Sequence, residues 1–366
     1  MFAGQTLNVI DPDGGVAAGS EATGNAYSVT AETGDLSVRS SQISAGPVAG
    51  QTNVAVHGWS PVNSVSTTSV GNAGDIAALA GSVEAGVRQS VGYAGDVWAG
   101  AAITTSHSTT VDTNVSAKAL GNTHGFYTGR TAGVAIVQKN HAATNAGVEA
   151  DIVHVDGHAS LAADAVGNSV SAYGGATSLE SWQTRDGHAQ TGARVRADIA
   201  NGQTVDASAR STANSLSAVH DAPSLRVLAD QSNGNGVQAT TSLYVGQFGS
   251  VTGSADAVGN SIHAGVSGEQ VEIDTSQFNG GWMEATAEFS GDYGYDADVA
   301  ATAIGNTVTG FACSDCDATL DARNHQVNEG GVRAVANAWV GGGRTVNSKA
   351  TAVGNNAAYF VTRPGH

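Results

Sequence analysis

Cysteine, proline, aromatic rings and charge are all scarce in this chain, and each scarcity excludes a class of protein. Among 366 residues there are two cysteines, five prolines, 5% aromatics and 13% charged residues. The two cysteines form one Cys-x-x-Cys, Cys313 to Cys316. That is half of a four-ligand zinc set, and no strand-to-helix context suggests a redox site. Cys313 and Cys316 are expected to clip a corner as a local disulfide, with free thiols as the alternative. Lys and Arg total 15 against 32 Asp and Glu, a net charge of −17. No basic cluster is present to neutralise phosphates, which excludes nucleic acid as a partner. No apolar run reaches the ~18 residues of a membrane-spanning helix. The start, Met1-Phe2-Ala3-Gly4-Gln5, has neither a basic nor an apolar leader region, so a mature or trimmed form is expected. With so few aromatics, an apolar set of mostly Ala and Val can build only a thin core.

What the chain has in abundance is a repeated phrase. A run of small residues closes on Gly-Asn at Gly24-Asn25, Gly71-Asn72, Gly121-Asn122, Gly167-Asn168, Gly259-Asn260, Gly305-Asn306 and Gly354-Asn355. A further copy, Ala213-Asn214, lacks the glycine. The eight asparagines are 47, 50, 46, 46, 46, 46 and 49 residues apart. A fixed period of this kind marks a repeat architecture in which each unit buries its apolar face against its neighbours.

Each repeat is bipartite. Gln231, Gln277 and Gln326 each lie 29 residues before the next Gly-Asn asparagine. The phrase Gly234-Asn235-Gly236-Val237-Gln238-Ala239 also reads against Gly259-Asn260-Ser261-Ile262-His263-Ala264. Apolar and polar residues alternate with period two, as in Ala193-Arg194-Val195-Arg196-Ala197, and no helical stripe is present. The expected fold is all-β with almost no helix: a β-solenoid of eight ~46-residue repeats. Internal similarity favours two coils of ~23 residues per repeat, sixteen coils and a rod on the order of 75 Å, over one coil of 46. Residues 1–20 are expected to form an N-terminal segment serving as an edge strand or inter-subunit contact, 21–356 a single solenoid domain and 357–366 a tail.

The corners have a physical reason to recur. Glycine is expected to supply a positive φ there, while the Asn amide bonds its own backbone or an equivalent amide on a neighbouring coil. The Ala213 copy is then expected to carry strain or a different turn. Ala257 and Ala264 are expected to point inward.

Candidate chemistry is weak. Asp112, Glu149, Asp151, Asp156 and Asp164, and again Asp292, Asp296 and Asp298, invite calcium, but no EF-hand or Gly-Gly-x-Gly-x-Asp loop frames them. Solvated carboxylates are the favoured reading. His154 and His158 would lie roughly 13 Å apart along a strand, too far to share a metal. No nucleophile elbow or metalloprotease motif marks a catalytic set, so no enzyme and no cofactor is expected. Trp59, Trp98, Trp182, Trp282 and Trp339 form no continuous ladder; core or edge packing is favoured over a glycan platform.

The repeats Ala-x-Ala-[Val/Ile]-Gly-Asn-[Ser/Thr]-[Val/Ile] and their Gln-led halves, from about Ala22 to Asn356, resemble the holdfast anchor proteins of stalked alphaproteobacteria, the adhesin-like D component. That resemblance implies an extracellular protein of the bacterial surface that helps hold an adhesive polysaccharide to the cell, and supplies no catalytic residues. Curli-type fibre subunits and trimeric autotransporter heads are similar in part. With no helical cap, both terminal coil edges are expected to accept strands. The functional expectation is a structural subunit of a surface fibre, polymerising head to tail. Its expected partners are itself, extracellular polysaccharide and an outer-membrane export or anchoring protein. The alternative is a β-helix protein that binds or degrades polysaccharide.

Overall fold

The computed structural model describes residues 1–107, 109–187, 190–221, 223–268, 270–312 and 318–361. Every described element is strand or connection, without helix. Among the described residues the strands wind through eight coils. The first holds β1 (Phe2–Ile10), β2 (Val16–Ala31) and β3 (Leu36–Ser44); the second holds β4 (Val48–His57), β5 (Ser60–Ala78) and β6 (Val83–Val91). The third holds β7 (Val97–Ser106) and β8 (Thr109–Asn140), and the fourth β9 (Thr144–Arg185). The fifth to seventh are β10 (Thr191–His220) with β11 (Ser224–Asn233), β12 (Val237–Val266) with β13 (Gln270–Asn279), and β14 (Met283–Ala312) with β15 (Thr319–Asn328). The eighth holds β16 (Val332–Val340) and β17 (Thr345–Val361).

Pairing is parallel throughout and joins each residue to its equivalent one repeat away, as in Val195 with Val148 and Thr241, or Leu225 with Val271. One repeat is therefore one coil. The expectation of two ~23-residue coils per repeat is incorrect, and the stack, at about 4.8 Å per rung, is on the order of 35 Å long.

The half-repeats lie side by side in the same rung. Each coil has four walls, exemplified by residues 191–199, 204–212, 214–220 and 224–233. Walls one and two enclose one apolar cluster, including Val195, Ile199, Val205, Ala209 and Ala257. Walls three and four enclose a second, including Leu216, Leu225, Val227, Ile262 and Ala264. The halves are similar because each must build a strand-turn-strand arch of one thickness around a thin core of Ala, Val, Ile and Leu. They do not stack because the interval that restores each wall to itself is the full 46 residues.

Three further expectations are corrected. The glycines of the Gly-Asn corners are not among the positive-φ residues, which among the described residues are Gly15, Gly34, Gly58, Gly174 and Gly187 with Asp11 and His107. Crowding, not φ, favours glycine at the corner. The ladder skips it, passing from Val258–Ile304 to Asn260–Asn306, and turns the Asn inward. A Cβ on Gly71 would lie 2.6 Å from Gly121 O, and one on Gly259 2.4 Å from Gly305 O. The Ala213 corner keeps the same turn, with Asn214 in register with Asn168 and Asn260. Finally, pairing runs from Phe2 to Val361, so residues 1–20 belong to the first coil and 357–361 to the last. β1 is an edge strand of that first coil.

Deletion of residues 237–282, one whole coil, is expected to leave a folded seven-coil rod with a β-sheet circular dichroism spectrum and a cooperative melt. Deletion of 237–259 alone sets walls of one lobe over the other and is expected to abolish that melt. A folded half-repeat deletion would contradict the one-coil assignment.

Candidate functional site

Where the two lobes meet, the coil narrows to a waist filled by amides. Asn25 Nδ2 donates to Asn72 Oδ1 at 2.8 Å, and the same bond runs on through Asn122, Asn168, Asn214, Asn260, Asn306 and Asn355, each step at 2.8 Å. Opposite it, Gln89 Nε2 donates to Gln42 Oε1 at 2.8 Å, and Gln138, Gln183, Gln231, Gln277 and Gln326 continue the column at 2.6–2.9 Å. From Asn72 to Asn306, and from Gln89 to Gln277, these side chains are at most 1% exposed. Burying a primary amide costs several kcal/mol unless its donors and acceptor are met. Here they are met only when each rung stands in register with the next.

A third column is less regular. Asn233 bonds Asn279 and Asn279 bonds Asn328, but the equivalent place in the fourth coil holds Arg185. Its guanidinium is fully buried, donates to Ala142 O at 3.3 Å, and has its pKa pushed down to about 9 by desolvation. His124 is buried as well, accepts or donates with Tyr27 Oη at 2.7 Å, and is lowered to about 4 by desolvation. It therefore sits neutral in the fold.

The suggested chemical sites are not brought together. His154 contacts Asp156 at 2.6 Å, whereas His158 contacts Asp206 at 2.8 Å and donates its backbone N–H to Asp112 Oδ1 at 2.9 Å. Glu149 faces Arg196 at 3.8 Å, and Asp164 stands between Lys118 and Arg210 on adjacent rungs, its pKa raised by burial. Asp292 accepts from Tyr244 Oη, and Asp296 pairs with Arg344. Among the described residues no His, Cys, Asp and Glu group is arranged to hold a metal. Cys313 and Cys316 lie outside the described residues.

The tryptophans are not core residues, each being at least 36% exposed, so of the two packing expectations only edge packing stands. Trp98 lays its six-membered ring where a Cβ of Gly100 would sit, the ring atoms 2.5 Å from that point. Beside it a shallow cavity of about 220 Å³ is floored by Gly100 and Gly147 and flanked by Gln51, Asn53, Glu149 and Arg194. No single residue in the sequence announces this trough; it arises because glycines of adjacent rungs align.

The remaining candidate surface is the stack's own ends. β1, β2 and β3 pair only with the second coil, and β16 and β17 only with the seventh. Their outer N–H and C=O rows face away from the fold, uncovered among the described residues.

Two outcomes are expected of the interior. Asn214→Leu leaves the Asn168 amide and the Asn260 carbonyl oxygen unsatisfied and should cost about 2–4 kcal/mol in denaturant unfolding. Asn337→Leu, on an exposed face, should stay within about 0.5 kcal/mol; equal effects would contradict the column's role. For His124, the unfolded chain takes up a proton near pH 6.5 but the fold resists it until about 4. Stability should therefore be full above pH 6.5 and fall as pH drops toward 4, and His124→Gln should flatten that fall in thermal melts.

The family model of holdfast attachment protein D matches residues 10–283 of the chain. No curated protein and no solved structure matches it.

Proposed function

The chain belongs to the holdfast attachment protein D family, and from that premise we propose that it anchors a holdfast as a rod whose copies join end to end. Membership carries the coarser statement: a role in holdfast attachment and surface adhesion, which implies a place at the cell surface and a structural rather than catalytic task. The finer reading concerns assembly. The observation that supports it is that both end faces offer unpaired parallel strand edges of matching wall lengths, nine residues in β1 and β16 and sixteen and seventeen in β2 and β17.

Edges of this kind template strand addition, and a contact between two different faces that does not close generates a linear chain. A cohesive rod suits an anchor because tension along it is carried by stacked backbone hydrogen bonds in every wall. The export route and the outer-membrane anchoring protein are read as separate partners acting before and beneath the rod.

A second reading, in which the rod's side holds extracellular polysaccharide, is favoured by the Trp98 trough. Its indole offers an apolar face of the kind that stacks on sugar rings, with Gln51, Asn53, Glu149 and Arg194 as hydrogen-bonding rims. The two readings concern different surfaces and are compatible.

Negative-stain electron microscopy and sedimentation of the purified chain are expected to reveal unbranched filaments one rod wide that lengthen with concentration. A species that stays monomeric at all concentrations would contradict the assembly reading. Trp98→Ala is expected to leave filaments intact while weakening retention on immobilised polysaccharide; unchanged retention would remove the second reading.

A further inference from the structure

The amide columns are polar, and they run in opposite directions. Which atom of each side chain is nitrogen is settled by a neighbouring backbone carbonyl, which can only accept. Asn72, Asn122, Asn214 and Asn260 donate from Nδ2 to the carbonyls of Ser90, Lys139, Ser232 and Phe278. Gln89, Gln138 and Gln183 donate from Nε2 to those of Thr123, Ser169 and Ser215. With nitrogen so placed, every Asn donates toward the last coil and every Gln toward the first.

The ends therefore differ. On the first coil the outward group of the Asn column is the acceptor Asn25 Oδ1. On the last coil it is the donor Asn355 Nδ2, whose residue already accepts from Asn306. The Gln column presents the reverse: the Nε2 of Gln42, bonded once to Ala73 O, faces out at the first coil, and Gln326 Oε1 faces out at β15, one rung below the last.

Charge divides the same way. The first coil carries Asp11, Asp13, Glu21, Glu32 and Asp35 against Arg39 alone, whereas residues 332–361 contain Arg333, Arg344 and Lys349 and no carboxylate. Following the register from rung to rung, the column of Val16 arrives at Val346, and that of Glu21 at Thr351. If a second copy continues the ladder, the loop bearing Asp13 comes over the loop bearing Arg344, and Glu21 comes beside Lys349. The chain already stacks opposite signs this way, with Lys118, Asp164, Arg210 and Asp256 on successive rungs of one column.

The geometry points to an interface between the first coil of one copy and the last coil of another, keyed by Asn355 Nδ2 donating to the second copy's Asn25 Oδ1 and by basic and acidic faces in register. This rests on the assembly reading above and adds to it polarity, register and the exclusion of like-face pairing. First coil against first coil would oppose acceptor to acceptor and carboxylates to carboxylates. Among the described residues contact runs over walls one to three; wall four is described as far as β15, so the Gln column is not continued directly there.

The test uses two variants of the full chain and their mixture. Arg344→Glu with Lys349→Glu makes the last face acidic, so copies of this variant should repel one another. Asp13→Arg with Glu21→Arg sets basic groups over Arg344 and Lys349 at the junction, and those copies should also stay apart. Mixed in equal amounts, both junctions of an alternating chain are complementary, and filaments should return. Variants that polymerise alone like the unmodified chain, or folded variants whose mixture stays monomeric, would overturn the proposal.

Asn355→Asp supplies an independent arm. It keeps the acceptor for Asn306 but replaces the outward N–H with a second oxygen, and should raise the critical concentration for filaments about tenfold. No change would overturn the amide key. If the unmodified chain itself forms no filament, the assembly reading fails; if it does and these variants behave as it does, the keyed interface alone fails.

Discussion

Everything in this molecule is subordinate to the need to satisfy a buried primary amide. The Asn and Gln columns occupy the waist of the coil, where no water is within reach of the inner rungs, and each amide finds its partner only on the rung above or below. A slip of one residue between two coils would orphan both columns at once and turn every side chain to the wrong face of its wall. The backbone ladder alone would tolerate many registers. The amides tolerate one.

That constraint explains what varies between repeats and what does not. Intervals of 46 to 50 residues would ruin a stack if the extra residues fell within a wall. They fall at corners instead: across the 50-residue step from Asn72 to Asn122 the pairing offset is 49 at His57–Ser106, 50 at Ser60–Thr110 and 49 again at Val83–Ala132, with Asn72 and Asn122 aligned. It also explains the thin core. Walls held together this closely have room for Ala and Val and for only occasional Leu, Ile and Phe, so ring packing is confined to places such as the edge-to-face pair Phe248 and Phe289. Arg185 is the exception that the fold accommodates, at the cost of a guanidinium far from water.

Much of this was legible in the sequence, and the parts that were not share a cause. The eight asparagines announce the rungs, and the period-two alternation announces the walls. The half-repeat similarity was equally real, but similarity in sequence does not distinguish two arches stacked from two arches abreast; only the pairing interval does. The corner glycine misled for a related reason, because a residue without a side chain is favoured either by φ or by a neighbour's closeness, and the neighbour of Gly259 is a carbonyl 46 residues away. The tryptophans and the trough at Trp98 depend on which side chains fall on neighbouring rungs, information that no local window contains.

The central claim is that continuous buried amide columns fix the rungs in register. It is tested most directly by following side-chain amide hydrogen exchange with nuclear magnetic resonance. The Nδ2 and Nε2 protons of Asn122, Asn168, Asn214, Asn260, Gln138, Gln183 and Gln231 should be protected as strongly as the backbone of the walls they join. Exchange as fast as that of the exposed Asn337 amide would contradict the account.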